Sequence, residues 1–509
     1  MQVAFISLKG YLKIKTGRLN THALQACCGA VFCLHLYFQV ASYSNSKGTP
    51  MPISPSIFKA YDIRGIVGQT LTEEAAEQIG RAIATRAARQ GLRQIAVGRD
   101  GRLSGPALQA ALMRGLTAGG LEVADAGMVA TPMLYFAAVQ HCSGSGVMIT
   151  GSHNPPDYNG FKMMLGGNTL AGDSIQELRG IIEAQDFVSG SPQGGVRSLE
   201  VADEYIQHIA GHIRLKRPLK IAVDAGNGVA GAFAGRLYRA LGCEVEELFC
   251  EVDGHFPNHH PDPAKPANLQ DLIRAVQAGA AEVGLAFDGD GDRLGVVTRS
   301  GSIIYPDRQL MLFAQDVLGR NPGAKVIYDV KSTRLLAPWI KRHGGEAVMS
   351  KTGHSFIKAA IRQHGALLAG EMSGHVFFKE RWFGFDDGLY AGARLLEILS
   401  ASPNPSAVLE ALPEGVSTPE LNIALPEGAD GHALIADLAQ AARFDGLQEL
   451  ITIDGLRAEF ADGFGLLRAS NTTPVLVLRF EGDNPAALAR IQAQFKTLVE
   501  QHGGLQWPL

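Results

Sequence analysis

From residue 51 onward the chain alternates short apolar runs with longer amphipathic stretches, each bounded by its own punctuation. Thr72, followed by Glu73 and Glu74, starts a helix that Gly91 stops, because a hydroxyl caps free amides, acidic side chains suit a first turn and glycine ends a last one. Residues 94–97, 121–124 and the run at Val147 read as strands, separated by helices over 104–118 and 132–140. Strand and helix in alternation predict a largely parallel, doubly wound sheet. Ahead of them, residues 57–65 read as an extended opening strand that ends in a glycine turn.

The same grammar recurs twice. Strands at 220–223, 243–248 and 283–287 alternate with helices over 229–241 and 269–278, and strands at 325–329, 347–349 and 367–369 with helices over 335–343 and 355–364. The last part has short strands at 450–453, 458–460 and 475–480 with terminal helices. The expected fold is α/β: three similar doubly wound mixed α/β domains plus a smaller C-terminal α+β domain, around a central cleft. Its expected divisions are residues 51–198, 199–301, 302–414 and 415–509, with 190–195 a linker and 401–405 a loop in the tail of the third unit. In such sheets ligands sit beyond the carboxyl ends of the strands.

Residues 1–50 are different. Lys9, Lys13, Lys15 and Arg18 precede an apolar stretch over 26–34 that His35 and Gln39 interrupt. The run is too short to span a bilayer, which takes about 20 apolar residues, and no small-x-small site follows it. The segment is expected to be an atypical, non-native or mis-started extension with Met51 as the true start, a targeting signal being the alternative.

Length and charge narrow the classes. A chain of 509 residues needs several cores. Its formal net charge of −4 gives no basic footprint, so neither nucleic acid nor a membrane is expected as a partner. Six cysteines without paired metal-ligand spacing suggest reduced thiols and a cytoplasmic location.

Four loops carry candidate chemistry. The run Gly146-Val147-Met148-Ile149-Thr150 stops at Gly151-Ser152-His153-Asn154-Pro155, which places Ser152 at the end of a buried strand; alone, this is also an ordinary strand-to-loop corner. In Asp288-Gly289-Asp290-Gly291-Asp292-Arg293 the alternation turns three carboxylates toward one point, a donor set for a hard cation. A solvated acidic turn or a structural calcium site is the other reading, although apolar strands on both sides make uncompensated charge costly there. Gly370-Glu371-Met372-Ser373-Gly374-His375 offers a carboxylate and a hydroxyl that could grip sugar hydroxyls, or a plain exposed turn. Arg468-Ala469-Ser470-Asn471-Thr472-Thr473-Pro474 combines a forked cation with hydroxyls and an amide, as an anion cradle or a capped turn.

Together and in this order, the four motifs resemble the alpha-D-phosphohexomutase superfamily, in particular its bacterial phosphomannomutase/phosphoglucomutase branch, from about Ile57 to about Glu481. The resemblance implies that Ser152 carries a phosphate and, with Asp288, Asp290 and Asp292, holds Mg²⁺. It implies a catalytic group of Ser152, Lys162, Arg64, Arg293 and His153. Substrate contacts are expected from Tyr61, Lys331, His354, Glu371, Ser373, Arg468, Ser470, Asn471 and Thr472. Lys162 taken alone is as well read as a surface lysine, and His354 as a helix-start residue. Arg102, in Arg99-Asp100-Gly101-Arg102, is expected only to support the serine loop. Gly151 stands where many members of the branch have alanine.

The implied reaction interconverts hexose 1-phosphate and hexose 6-phosphate through a phosphoserine enzyme and a hexose 1,6-bisphosphate, which also serves as activator. The implied partners are small sugar phosphates, and the implied state is a monomer or weak homo-oligomer. Alternatives are a phosphoglucosamine mutase, a metal-dependent sugar phosphatase that would release inorganic phosphate, and a non-catalytic sugar-phosphate or calcium-binding module.

Overall fold

The computed structural model describes residues 53–508 apart from 427, 472 and 504 and the side chains of 502 and 503. The expectations for residues 1–50 and for Thr472 in the fourth motif therefore lie outside the described residues.

The first unit is a seven-stranded sheet built from β1 (Ile63–Ile66), β2 (Gln94–Arg99), β3 (Glu122–Met128), β4 (Gly146–Ile149), β5 (Tyr158–Leu165), β6 (Asn168–Thr169) and β7 (Val196–Ser198), in the order β1-β5-β4-β2-β3-β7 with β6 on β5. Strands β4, β2, β3 and β7 run parallel. Strands β1, β5 and β6 pair antiparallel, so this edge departs from the largely parallel expectation. The opening strand is also shorter than expected, because Pro55–Ile57 forms a 3-10 turn and regular pairing starts only at Ile63. Residues 190–195 are not a free linker: Gly190 N donates to Ala118 O and Gly194 N to Thr117 O, which leads β7 onto the sheet.

Helix capping follows the local chemistry. Thr72 Oγ1 accepts from Ala75 N at the start of the helix Glu73–Arg89, and Gly91 adopts a φ of +73° just past its end. That helix and Gly105–Ala118 pack on one face of the sheet, where Ile79, Ile83, Leu112, Leu116 and Val147 share a core. The helix Thr131–His141 covers the other face, and its Tyr135 and Phe136 belong to a core that continues into the second and third units.

The second sheet contains β8 (Lys220–Asp224), β9 (Glu244–Leu248), β10 (Val283–Phe287), β11 (Leu294–Thr298) and β12 (Ile303–Ile304) in the order β12-β11-β10-β8-β9. The third contains β13 (Lys325–Asp329), β14 (Glu346–Ser350), β15 (Leu368–Gly370) and β16 (Val376–Phe378) in the order β14-β13-β15-β16. In both, parallel strands meet an antiparallel hairpin, β10-β11 or β15-β16, with β12 adding a further antiparallel strand to the second sheet, and the candidate loops lie at the β10-β11 and β15-β16 turns.

The fourth sheet has β17 (Val416–Ser417), β18 (Leu421–Ala424), β19 (Leu447–Ile451), β20 (Leu456–Phe460), β21 (Gly463–Ala469) and β22 (Val475–Gly482), and all its pairings are antiparallel. It closes its own core around Leu467, Phe480, Ile491 and Phe495. Arg468 belongs to β21 rather than to the turn that follows it. Among the described residues, no helix is long and apolar enough to cross a membrane.

Candidate active site

The serine loop is held by two arginines, the buried Arg102 and the partly buried Arg64. Thr150 Oγ1 accepts from Ser152 N at 2.7 Å and donates to Asp100 Oδ2 at 2.8 Å. Arg102, 1% exposed, donates to the carbonyls of Ser152, Asn154, Pro155 and Tyr158 at 2.8, 2.6, 2.5 and 2.9 Å. Four carbonyls on one guanidinium fix the path of the whole turn. Arg64 adds a bond to Gly151 O at 2.6 Å, reaches Asn154 Oδ1 and pairs with Asp62. Within this frame Ser152 adopts a left-handed φ of +47°, a strained conformation for a residue with a side chain.

Ser152 Oγ donates to Asp288 Oδ2 at 3.0 Å, and His153 Nδ1 lies 3.2 Å from the same hydroxyl. The two loops approach closely because Gly289 has no side chain: a Cβ there would lie 2.4 Å from Ser152 O. Burial, with Arg293, Arg64 and Lys162 adding to it, pushes the His153 imidazole well below its ordinary pKa, so it is neutral beside the serine.

Asp288, Asp290 and Asp292 are fully buried, and one oxygen of each lies within 4.8 Å of the others. Lys162 donates to Asp290 Oδ2 at 2.7 Å and to Asp292, and Thr131 Oγ1 donates to Asp290 Oδ2 at 2.5 Å. Burial works against the charge on Lys162, yet Asp290 and Asp292 hold its pKa above the ordinary value. Burial and the two neighbouring aspartates push Asp288 well above the usual carboxylate range. Asp290 and Asp292 feel the same burial, but Lys162 with Thr131 holds Asp290 low, and Lys162 with His375 and Arg293 holds Asp292 low.

This loop fits a divalent metal. Its donors are all oxygen, and Asp290 Oδ1 and Asp292 Oδ1 are buried without a hydrogen bond. His375 Nε2 lies 3.2 Å from Asp292 Oδ1, outside hydrogen-bond geometry.

A chain of contacts leads from the metal loop to the other two motifs. Arg293 Nε donates to His375 Nε2 at 3.3 Å, and His375 Nδ1 lies 2.9 Å from Glu371 Oε2 and 3.0 Å from Ser373 Oγ. Glu371 Oε1 accepts from Gly353 N. Tyr61 OH donates to Thr352 O at 2.9 Å and accepts from Asn471 Nδ2, and burial raises its pKa to about 12. Arg468 Nε donates to Asp454 Oδ2 at 3.0 Å, and Lys331 pairs with Glu420 at 3.0 Å. Ser470 Oγ lies 3.0 Å from Thr473 Oγ1. His354 is buried as the first residue of the helix His354–His364, the place its helix-start reading gives it.

Some residues of this constellation carry no role in the sequence reading. His375 is visible there only as the end of the third motif. Lys358, which donates to Asp386 Oδ1 at 2.9 Å, and Asp454 have no motif at all. The loop around His260, whose Nε2 meets His153 O, and Phe256, whose ring centroid is 5.2 Å from Arg102 Cζ, braces the serine turn. Its density of proline and histidine, Phe256-Pro257-Asn258-His259-His260-Pro261, is the available signal.

A buried serine beside an aspartate loop that fits a divalent metal, with the third and fourth motifs on further units, suits a protein of the phosphosugar phosphoryl-transfer class. The chain belongs to the phosphoglucomutase/phosphomannomutase family, whose alpha/beta/alpha domains I, II and III match residues 55–189, 203–301 and 305–415, and whose C-terminal domain matches residues 420–498. It is 71% identical over 457 residues to a phosphoglucomutase of Neisseria meningitidis serogroup A, covering 90% of this chain and 99% of that protein. It is 56% identical over 458 residues to a phosphomannomutase/phosphoglucomutase of Pseudomonas aeruginosa, covering 90% and 98%. A crystal structure of a phosphoglucomutase/phosphomannomutase family protein from Burkholderia thailandensis superposes with a TM-score of 0.86 at 57% identity, covering 90% of this chain and all of that one.

Proposed function

We propose that the chain is a phosphohexomutase that interconverts hexose 1-phosphates and hexose 6-phosphates, with glucose and mannose as the sugars. Phospho-Ser152 gives its phosphoryl group to the free hydroxyl of the sugar phosphate: the bond from phosphorus to Ser152 Oγ breaks, the bond to the sugar oxygen forms, and in net the proton of the sugar hydroxyl ends on Ser152 Oγ. The resulting hexose 1,6-bisphosphate turns around and returns its other phosphoryl group to Ser152. Added bisphosphate would act as activator by phosphorylating a bare Ser152.

Each group has a part in this reading. Asp288, Asp290 and Asp292, with the phosphate on Ser152, would hold Mg²⁺, which supplies charge neutralisation to the transferring group. Lys162 and Arg293 would face the phosphoryl oxygens, and Arg64 holds the serine turn in place. Glu371 and Ser373 would read sugar hydroxyls shared by both orientations, while Arg468, Ser470, Asn471 and Thr472 hold the phosphate that is not being transferred. Tyr61, Lys331 and His354 complete the substrate contacts.

The observation that carries this reading is the 3.0 Å contact from Ser152 Oγ to Asp288, which joins two motifs 136 residues apart. The names of relatives at 54–71% identity favour glucose and mannose over the phosphoglucosamine and phosphatase alternatives. The divisions at 51–198, 199–301, 302–414 and 415–509 give each motif its own unit. Every group in the reaction comes from one chain, which suits a monomer or weak homo-oligomer. The free cysteines Cys142, Cys243 and Cys250 suit a reducing cytoplasm.

The test incubates the protein with Mg²⁺, a trace of glucose 1,6-bisphosphate and either glucose 1-phosphate or mannose 1-phosphate, following hexose 6-phosphate and inorganic phosphate. Isomerisation without phosphate release is expected. Phosphate release without isomerisation would overturn the mutase reading in favour of a phosphatase.

A further inference from the structure

Thr352 and Gly353 donate consecutive backbone amides to two different carboxylates. Thr352 N donates to Asp454 Oδ2 at 3.0 Å, and Gly353 N donates to Glu371 Oε1. Asp454, in the turn between β19 and β20, also takes the Nε edge of Arg468 at 3.0 Å. One peptide therefore separates the carboxylate that holds the cradle arginine from the carboxylate that faces the sugar.

The peptide itself is fixed from two more sides. Thr352 O accepts from Tyr61 OH at 2.9 Å, and Thr352 Oγ1 donates to Asp329 Oδ2 at 3.1 Å. Residues of the first, third and fourth units thus meet on Thr352. The turn is tight against the arginine, since a Cβ at Gly455 would lie 2.6 Å from Arg468 Cβ. The Asp454 side chain is 10% exposed and that of Arg468 6%, so neither swings freely. The Lys331 partner Glu420 differs in being 46% exposed.

We propose that Asp454 is a positioning residue that sets the placement of the phosphate-holding Arg468 relative to the sugar-reading Glu371. It acts through Arg468 and the Thr352-Gly353 peptide and touches no substrate. This rests on the assignment of Arg468 and Glu371 to the substrate. A guanidinium held by one edge is aimed by its partner, and misplacing a binding group by a fraction of an ångström weakens every ligand that must satisfy two sites at once.

Simple electrostatics predicts the opposite sign. If Asp454 only neutralised Arg468, removing its charge would free a phosphate-binding cation and tighten sugar-phosphate binding. Calorimetric binding of glucose 6-phosphate to wild type and Asp454→Asn separates the two, because asparagine keeps an acceptor for Thr352 N. Positioning predicts binding weakened by about tenfold, with the thermal midpoint held within a few degrees. It also predicts that the same substitution costs much less in an Arg468→Lys background, since the two changes share one route.

Tighter or unchanged binding in Asp454→Asn overturns the proposal, as does an equal cost in both backgrounds. Asp454→Glu, which restores the charge, should recover part of the affinity at a thermal midpoint within a few degrees of wild type, and no recovery also counts against positioning. Binding is read in chelator, where the Mg²⁺-dependent transfer does not run, so failure of the mutase reading appears separately, as absent isomerisation by the wild-type protein with Mg²⁺.

Discussion

Ser152 Oγ donates a 3.0 Å hydrogen bond to Asp288 Oδ2, so the hydroxyl expected to carry phosphate rests against the loop expected to hold the metal. Ser152→Ala should lower turnover by more than about a thousandfold, because no other hydroxyl takes its place in the turn. Intact-mass analysis after incubation with glucose 1,6-bisphosphate should show phosphate on the wild-type protein and none on the variant. Equal labelling of both would remove Ser152 as the carrier.

Lys162 compensates two of the three buried aspartates. Lys162→Met removes the cation that bridges Asp290 and Asp292, at a cost of about 3–5 kcal/mol. Its thermal midpoint should fall in chelator and recover with Mg²⁺ by more than that of the wild type, since the ion then supplies the missing positive charge. Equal responses of the two proteins to Mg²⁺ would show that Lys162 and the ion do not share the aspartates.

Gly151 lies where an added Cβ would be 2.2 Å from Arg102 Cζ. The end of an arginine normally moves aside cheaply, but this one is buried and bonded to four carbonyls. Gly151→Ala should therefore cost about 1–3 kcal/mol in chemical denaturation and reduce phosphorylation of Ser152. A variant with wild-type stability and labelling would show that the turn absorbs the methyl group.

Asp387 should give stability a measurable pH dependence. Burial raises its carboxyl to about 7, against hydrogen bonds from Tyr390 N, Tyr205 OH and Trp382 Nε1 that pull it down, while Asp386 adds to the rise. The folded state thus keeps a proton that the unfolded chain releases in the ordinary carboxyl range. Its contribution is most favourable below about pH 4, is lost progressively as pH rises through about 7, and is flat above. Denaturation of wild type and Asp387→Asn from pH 5 to 8 should give curves whose difference changes across this window; parallel curves would contradict the shift.

Legibility in the sequence follows the range of the interactions. Thr72 and Gly91 bound their helix by contacts within a few residues, and β10 and β13 fall where apolar runs place them. The opening strand and the 190–195 stretch depart from expectation because pairing with distant segments decides them. β21 is hidden in the sequence since its glycines disguise a central strand, whose burial comes from β20 and β22 on either side.

By itself the sequence determined the α/β grammar, the four motifs and their order, because these rest on local dihedral preferences and on the chemistry of adjacent side chains. Only the tertiary structure decided that Ser152 meets Asp288, that Lys162 lies between Asp290 and Asp292, and that Asp454 holds Arg468 beside the peptide serving Glu371. Those contacts join residues far apart in the chain, and their energy comes from burial, which removes water and obliges each charge to find a partner.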